Sequence, residues 1–393
     1  MVLEGNVRQG MRRGARIGLA LICSGVAGVA GAATVHAGSP AARGAGARPR
    51  VTPGNVLHTT TVGTAPIAVA VDEQTSRAFV LSGDSISVVD TSSSKTLSQV
   101  NGGVGGDPYG AGPAAIAVDQ ATGRVFAANF ASGKVSVLDA SSGRLLHTVR
   151  VGNGPGAVAI SERTKRVFVT NFDSDSVSML DASSGLVLKT APVGQAPTAV
   201  AVDTKTGFVF VANYTGNSVS VLGATTGVVA RTVTVGLHPM DVAVDERTGR
   251  AFVTNYDEST VSVLDTSSAK VLRTVPVDVS PVAVRVNGAG GRAYVVNYTG
   301  NSVSVLDTKA LKVTNTLSVG SLPSAVTIDG RSGYAFVANA GSNNVSVIDT
   351  KKNSVIRTVV VGQYPNAVAA AERNGHAFVT NGQDNNVSVL AAG

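Results

Sequence analysis

Three polar side chains, His238, Asp241 and Arg285, stand at positions of a repeating pattern that are otherwise mostly small or apolar. A guanidinium binds anionic groups through paired hydrogen bonds, and an imidazole can transfer a proton near neutral pH. We therefore predict that these residues bind the polar part of a ligand, with Arg285 taking an anionic group and His238 available for proton transfer. The alternative is an ion pair between Asp241 and Arg285 that serves only the fold.

Aromatic residues at loop positions form a second set of candidates. Five of them directly follow a turn asparagine and a sixth precedes a repeat proline: Phe130, Phe172, Tyr214, Tyr256, Tyr298 and Tyr364. Such rings stack on sugars or peptides, or else each packs against its neighbouring loop. The glycine-rich segment 101–112 adds Tyr109, and it is interpreted either as a mobile lid or as a tolerated insertion.

Motifs for catalysis, metals and cofactors are few. The histidines beyond the leader are His58, His147, His238 and His376, and their places in the repeat do not converge as a zinc or haem site requires. The chain has no G-x-S-x-G motif with triad partners, no phosphate-binding loop and no tryptophan, and its acidic loops lack calcium-ligand spacing. We assign no catalytic residue, metal or cofactor, and a non-enzymatic function is favoured.

A repeat positions all of these candidates. Its prolines are 47 residues apart once and 42 residues apart thereafter: Pro66, Pro113, Pro155, Pro197, Pro239, Pro281, Pro323 and Pro365. Each unit has an alternating segment with small residues, a second strand with an aromatic residue, an asparagine expected in the left-handed conformation, a third strand and a polar fourth strand. Four strands at this period predict an all-β fold, a β-propeller whose core is filled by the aromatic residues.

The two ends of the repeat array complement each other. The last copy stops after its third strand, and residues 56–62 match a fourth strand that no blade precedes. We predict eight blades in a ring closed by this N-terminal strand. Deletion of residues 51–63 should then expose a strand edge and open the ring.

The segments FVTNFDSDSVSMLD, FVTNYDESTVSVLD and YVVNYTGNSVSVLD resemble the YVTN family of β-propeller repeats. The likeness covers residues 56–393. This resemblance implies the propeller fold, and it implies no single activity.

Residues 1–37 are interpreted as a signal peptide. Four arginines precede the apolar run 17–33, and a small-x-small pattern follows at 35–37. An uncleaved anchor is the alternative, although this run is shorter than the roughly 20 residues that span a bilayer. Residues 38–55 are predicted to be a flexible linker and residues 56–393 the propeller. The only cysteine, Cys23, lies in the leader, so the mature chain has no thiol.

The net charge of +7 lies mainly outside the repeats. Residues 1–37 and the segment after them each contribute +3, which leaves +1 for the array. The repeat arginines Arg77, Arg124 and Arg250 face Asp72, Asp119 and Asp245 across a predicted hairpin, so we expect cross-strand charge pairs and no nucleic-acid surface.

The favoured function is an exported protein, secreted or held at the cell surface or in the periplasm, that binds or scaffolds a carbohydrate, peptide or small ligand on its loop face. It is expected to be a monomer with no membrane span after cleavage, and its partner is an unknown extracellular ligand or protein. A lactonase-like hydrolase or lyase on a similar propeller and a structural cell-surface module are the alternatives.

Overall fold

Short alternating strands with glycine-containing turns assemble into eight antiparallel four-stranded sheets around a central axis. The computed structural model describes residues 52–83, 85–101 and 115–393. In each sheet the strands lie in sequence order from the axis outward, and blade 8 takes its outermost strand from the N-terminal end of the array. The predicted eight-bladed β-propeller is confirmed.

The blades are numbered in chain order. Blades 1 to 4 contain β2 (Ala68–Asp72), β3 (Arg77–Leu81), β4 (Ile86–Asp90) and β5 (Thr96–Val100); β6 (Ile116–Asp119), β7 (Arg124–Asn129), β8 (Lys134–Asp139) and β9 (Leu145–Arg150); β10 (Pro155–Ser161), β11 (Arg166–Asn171), β12 (Ser176–Asp181) and β13 (Val187–Pro192); β14 (Pro197–Asp203), β15 (Phe208–Asn213), β16 (Ser218–Gly223) and β17 (Val229–Thr234). Blades 5 to 8 contain β18 (Pro239–Asp245), β19 (Arg250–Asn255), β20 (Thr260–Asp265) and β21 (Val271–Pro276); β22 (Pro281–Asn287), β23 (Arg292–Asn297), β24 (Ser302–Asp307) and β25 (Lys312–Ser318); β26 (Pro323–Asp329), β27 (Tyr334–Asn339), β28 (Asn344–Asp349) and β29 (Ser354–Val360); β30 (Pro365–Ala371), β31 (His376–Asn381), β32 (Asn386–Ala391) and β1 (Val56–Thr61). A single turn of 3-10 helix, Phe172–Ser174, follows β11.

The N-terminal strand closes the ring as predicted. β1 runs antiparallel to β32, with Thr61 opposite Asn386. The hydrogen bonds extend two residues before the predicted propeller boundary, since Gly54 donates its N–H to the Ala391 carbonyl and Asn55 accepts the Ala391 N–H, each at 2.8 Å. The rest of the predicted leader and linker, residues 1–51, lies outside the described residues.

The eight aromatic residues of the second strands fill the core between neighbouring sheets. Each is fully buried: Phe79, Phe126, Phe168, Phe210, Phe252, Tyr294, Phe336 and Phe378. A buried aromatic side chain removes about 150–250 Å² from water, which makes these rings the main apolar filler of each blade. The fourth strands are largely exposed, as their polar sequences predict.

The turn asparagines do not have the predicted left-handed backbone, although they bond across the turn through their side chains. Asn213 is fully buried, and its amide donates to the Ser218 and Ser220 hydroxyls at 3.1 and 3.0 Å. The left-handed residue comes four positions later, at Asn217 with φ 47°. Since the backbone of Asn171 is also extended, the asparagine ties the second strand to the third instead of forming the left-handed turn.

The predicted cross-strand charge pairs are also corrected. Asp119 lies opposite Arg124 in the ladder, but its carboxylate accepts the N–H of Ala121 and the hydroxyl of Thr122 within its own turn. Arg124 instead pairs with Asp139 on the third strand at 3.0 Å. The strand-end aspartate was needed to close a tight turn, so the guanidinium pairs with the other neighbouring strand.

No helix in the described part of the chain is long and apolar enough to span a membrane.

Candidate functional site

Most of the described candidate residues lie in loops at one end of the propeller, whereas Asp241 and Arg285 lie within the innermost strands β18 and β22. We call this end the loop face: it comprises the segments that lead into each first strand and those that join the second strand to the third. The opposite end, which carries the other connecting segments, is the turn face. β1 begins at the turn face, because Val56 pairs with Leu390 near the end of β32.

In the seven repeats where the structure describes it, the residue before the repeat proline is held in a left-handed conformation. His238 has φ 52° and Tyr364 has φ 55°, values that non-glycine residues adopt only when neighbours hold them. The N–H of His238 donates to the Asn217 side chain at 2.9 Å, and that of Tyr364 donates to the Asn343 side chain at 3.0 Å. Each acceptor belongs to the preceding blade, so neighbouring blades together fix these side chains.

Aromatic residues stand at one equivalent loop position in five consecutive blades, 2 to 6. We call this set the aromatic arc: Phe130, Phe172, Tyr214, Tyr256 and Tyr298. In blades 7 and 8 the equivalent residues are Ala340 and Gly382, and the loop of blade 1 is two residues shorter. The arc therefore occupies one side of the channel mouth.

A small apolar cluster forms the base of the arc. Phe172 and Met240 are buried with Ala196, although they come from blades 3, 5 and 4. Phe130 packs on this cluster, as do Tyr214 and Tyr256, and the centroids of the Phe130 and Phe172 rings are 6.3 Å apart. Side chains from separate blades thus share one cluster at this face.

Three tyrosines meet at the other end of the arc. The pKa of Tyr298 is raised to about 12. Burial is the main cause, and the neighbouring phenols of Tyr364 and Tyr256 contribute to the same shift. Tyr364 enters from blade 8 and Tyr298 from blade 6, so a blade lies between them. The Tyr298 phenol is therefore neutral at physiological pH, and a phenol can both donate and accept hydrogen bonds.

Asp241 and Arg285 form an ion pair. An oxygen of Asp241 lies 2.8 Å from Nη1 of Arg285 and also accepts the Val284 N–H at 3.0 Å, while the other accepts the Val242 N–H at 2.9 Å. The Asp241 side chain is 4% exposed and that of Arg285 is 21% exposed. The structure thus contains the ion pair that the sequence offered as an alternative, between β18 and β22.

His238 belongs to a different contact. Its Nδ1 makes a short contact with the Asp257 carboxylate, and its ring stacks on Tyr214 with the centroids 4.4 Å apart and the planes 17° apart. Within the described residues, Asp257 is its partner in an ion contact. The three polar candidates are therefore distributed over two pairs.

Two residues of this face were missed by the sequence reasoning. Asp257 lies in one of the acidic loops and directly follows Tyr256 of the arc. Met240 follows a repeat proline. The equivalent residues of other repeats include the small Gly156 and Ser324, so the long side chain of Met240 is the feature of the sequence that distinguishes this position. Tyr109 lies outside the described residues, and the described part contains no group of three or more His, Cys, Asp or Glu that could hold a metal ion.

Comparisons with known proteins give matches in structure only. No protein-family model matches the chain, and no curated protein does. Hydrazine synthase of Kuenenia stuttgartiensis is similar with a TM-score of 0.60 at 19% identity, over 71% of this chain and 95% of that one. BamB from Moraxella catarrhalis has a TM-score of 0.65 at 15% identity, over 86% and 99%. Dihydro-heme d1 dehydrogenase NirN, in complex with DHE, has a TM-score of 0.64 at 16% identity, over 82% and 74%. At these identities the likeness establishes the fold alone: the chain is a β-propeller.

Proposed function

We propose that this chain is an exported binding or scaffolding protein that holds a carbohydrate, peptide or small ligand at the loop-face mouth of its channel. The aromatic arc is the observation that carries this proposal. Four of its five rings, those of blades 2, 4, 5 and 6, keep accessible surface on the loop face, and such rings contribute large contact areas at low conformational cost.

The rigidity of the arc supports binding. Phe172 is buried under the loop face, while Phe130, Tyr214, Tyr256 and Tyr298 are only partly buried and keep some surface accessible. Because the blades fix the loops through hydrogen bonds from one to the next, little ordering remains for a ligand to impose.

We further propose that His238, Asp241 and Arg285 interact with the polar part of the ligand. Arg285 is the more exposed member of its ion pair, and Asp241 holds the guanidinium in place. His238 presents an imidazole that is positioned by Asp257 and Tyr214. Tyr364 and Tyr298 add phenol groups at the end of the arc.

Membership of the YVTN family and export are parts of the same proposal. The segments FVTNFDSDSVSMLD, FVTNYDESTVSVLD and YVVNYTGNSVSVLD support the first, and the arginine-rich apolar leader supports the second.

A hydrolase or lyase is the second candidate function. The contact between His238 and Asp257 favours it, because a carboxylate that orients an imidazole is a recurrent arrangement for a general base. Lactones belong in any ligand screen for that reason.

A thermal-shift screen of the mature protein tests the proposal, with glycans, neutral and charged peptides, lactones and divalent metal salts as ligands. A ligand at 100 times its Kd stabilises the native state by about 2.7 kcal/mol, so hits should raise Tm. The variant Tyr214→Leu with Tyr256→Leu should lose the shift. Tyr334→Leu, which changes a tyrosine at the turn face, should keep it. Hits that shift both variants equally would place binding elsewhere.

A further inference from the structure

Charge is distributed unevenly between the two faces. The described loop-face segments contain six carboxylates and no lysine or arginine. The six are Asp173, Asp175, Asp257, Glu258, Asp278 and Asp384. The nearest basic residues, Lys134 and Arg150, stand opposite each other at strand ends of blade 2. The loop face is therefore negative.

The turn face has a different composition. Its described connecting segments contain four glutamates and twelve basic residues: Lys95, Arg144, Arg163, Lys165, Lys205, Arg247, Lys270, Lys309, Arg331, Lys351, Lys352 and Arg373. The strand ends at this face contain more aspartates than arginines. The net charge of the connecting segments and strand ends together is slightly positive. The small net charge of the repeats thus conceals a negative loop face and a slightly positive turn face.

Structural hydrogen bonds do not remove the negative charge of the loop face. Asp278 accepts the Val279 N–H at 2.8 Å and the Ser302 hydroxyl at 2.7 Å, and Asp384 accepts the Gln363 N–H at 2.7 Å. These donors are neutral, so the hydrogen bonds bring no positive charge to the loop face. The Asp257 carboxylate contacts the His238 imidazole.

Carboxylates also lie beside rings of the arc. A Cβ placed on Gly154 would stand 2.9 Å from an oxygen of Asp173 and 3.0 Å from the Phe130 ring, so these two groups face the same small space. Asp257 reaches the arc through His238, which stacks on Tyr214. Aromatic faces attract ammonium and guanidinium groups, and an adjacent carboxylate adds to that attraction.

We propose that the ligand of the loop face is a positively charged peptide segment, rich in lysine or arginine, that lies across the aromatic arc. This inference rests on the proposed function and specifies its ligand. The carboxylates occur in blades 3, 5, 6 and 8, so the charge is spread around the mouth. That spread fits several cationic side chains along an extended peptide better than one small cation.

The test is fluorescence anisotropy with the purified protein and a labelled octalysine peptide, with a neutral glycine–serine octapeptide as a reference. We expect octalysine to bind more tightly than the neutral peptide, and its Kd to rise steeply between low and physiological salt. The variant Asp173→Asn, Asp257→Asn, Glu258→Gln should raise Kd at least fivefold at low salt. The matched control, Glu73→Gln, Glu162→Gln, Glu246→Gln, makes the same charge change at the turn face and should raise it less than twofold.

Two results would overturn the inference. Equal weakening by both triple variants would show that overall charge, and not the loop face, attracts the peptide. Failure of octalysine to bind, while a neutral screening ligand binds and depends on Tyr214 and Tyr256, would refute the cationic ligand and leave the proposed function standing. If no ligand depends on those tyrosines, the proposed function fails as well.

Discussion

The ion pair between Asp241 and Arg285 can be tested by removing its members singly and together. In the other seven repeats the residue equivalent to Asp241 is alanine, and the residue equivalent to Arg285 is alanine in six repeats and Thr327 in one. Changing both to alanine therefore restores the residues that this chain itself uses at those positions.

The structure predicts unequal single effects. Arg285→Ala leaves a carboxylate that is 4% exposed without its cation. Removing one partner of a buried pair costs about 3–5 kcal/mol, and at roughly 2 °C per kcal/mol for a large domain the Tm should fall by about 6–10 °C. Asp241→Ala should cost less, because Arg285 is 21% exposed and can reach water.

The double variant should recover most of the loss, to within about 1 kcal/mol of the unmodified protein, because two alanines replace a desolvated pair. Urea unfolding of all four proteins measures the coupling, and Thr327→Ala at the position equivalent to Arg285 serves as the control. Additive losses in the double variant would refute the account of a coupled pair. Loss of ligand affinity in the double variant, at recovered stability, would assign the pair to the binding site.

Three further predictions follow from the fold. Deleting residues 51–63 should lower Tm and cause association through the exposed edge of β32, whereas deleting residues 1–50 should do neither; size-exclusion chromatography and melting distinguish the two, and a stable monomer in the first case would contradict the closure. Asn213→Ala removes two hydrogen bonds to buried hydroxyls and should cost about 1–3 kcal/mol in urea unfolding, while Asn315→Ala on an exposed outer strand should cost almost nothing; equal effects would refute the role of the buried amide. Hydrogen bonds from Ser92 and Ser141 lower the pKa of Asp90 and of Asp139 to about 2, so their contribution to stability is complete above pH 3.8 and is lost as the pH falls through about 2. The urea midpoint, measured at pH 7, 4, 3 and 2, should therefore decline at the acid end, and it should decline less in Asp139→Asn. If the midpoint of that variant fell as steeply with pH as that of the unmodified protein, the stabilising role of the Asp139 turn would be refuted.

The sequence predicts the architecture well because the same pattern recurs in eight repeats. The period, the buried aromatic residue of each unit and the N-terminal strand are each visible as patterns, and each is present in the structure. What single positions do within the pattern is less visible. Asn213 and Asp119 both stand at strand ends beside a turn. The Asn213 amide bonds across to the third strand, whereas the Asp119 carboxylate is used within its own turn.

The residues of the candidate site could be predicted from the sequence, but the contacts among their side chains could be predicted less well. Departures from the repeat identified His238, Asp241 and Arg285, but the distance between blades decides which of them touch. The ladder of β18 is shifted between Pro239 and Val242, and the Asp241 carboxylate there accepts the N–H of Val284 in the next blade. That local shift, together with the placement of Asp257 beside His238, has no signature in residue spacing.

Hydrogen–deuterium exchange with and without the strongest ligand of the screen tests most directly the claim that the channel mouth is the binding surface. The amides of 172–175, 214–217 and 256–259 should gain protection, because a ligand across the aromatic arc covers these three segments. The turn-face segments 204–207 and 246–249 of the same blades should exchange unchanged. Protection confined to the turn face or to the outer strands, with the arc segments unaffected, would contradict the account.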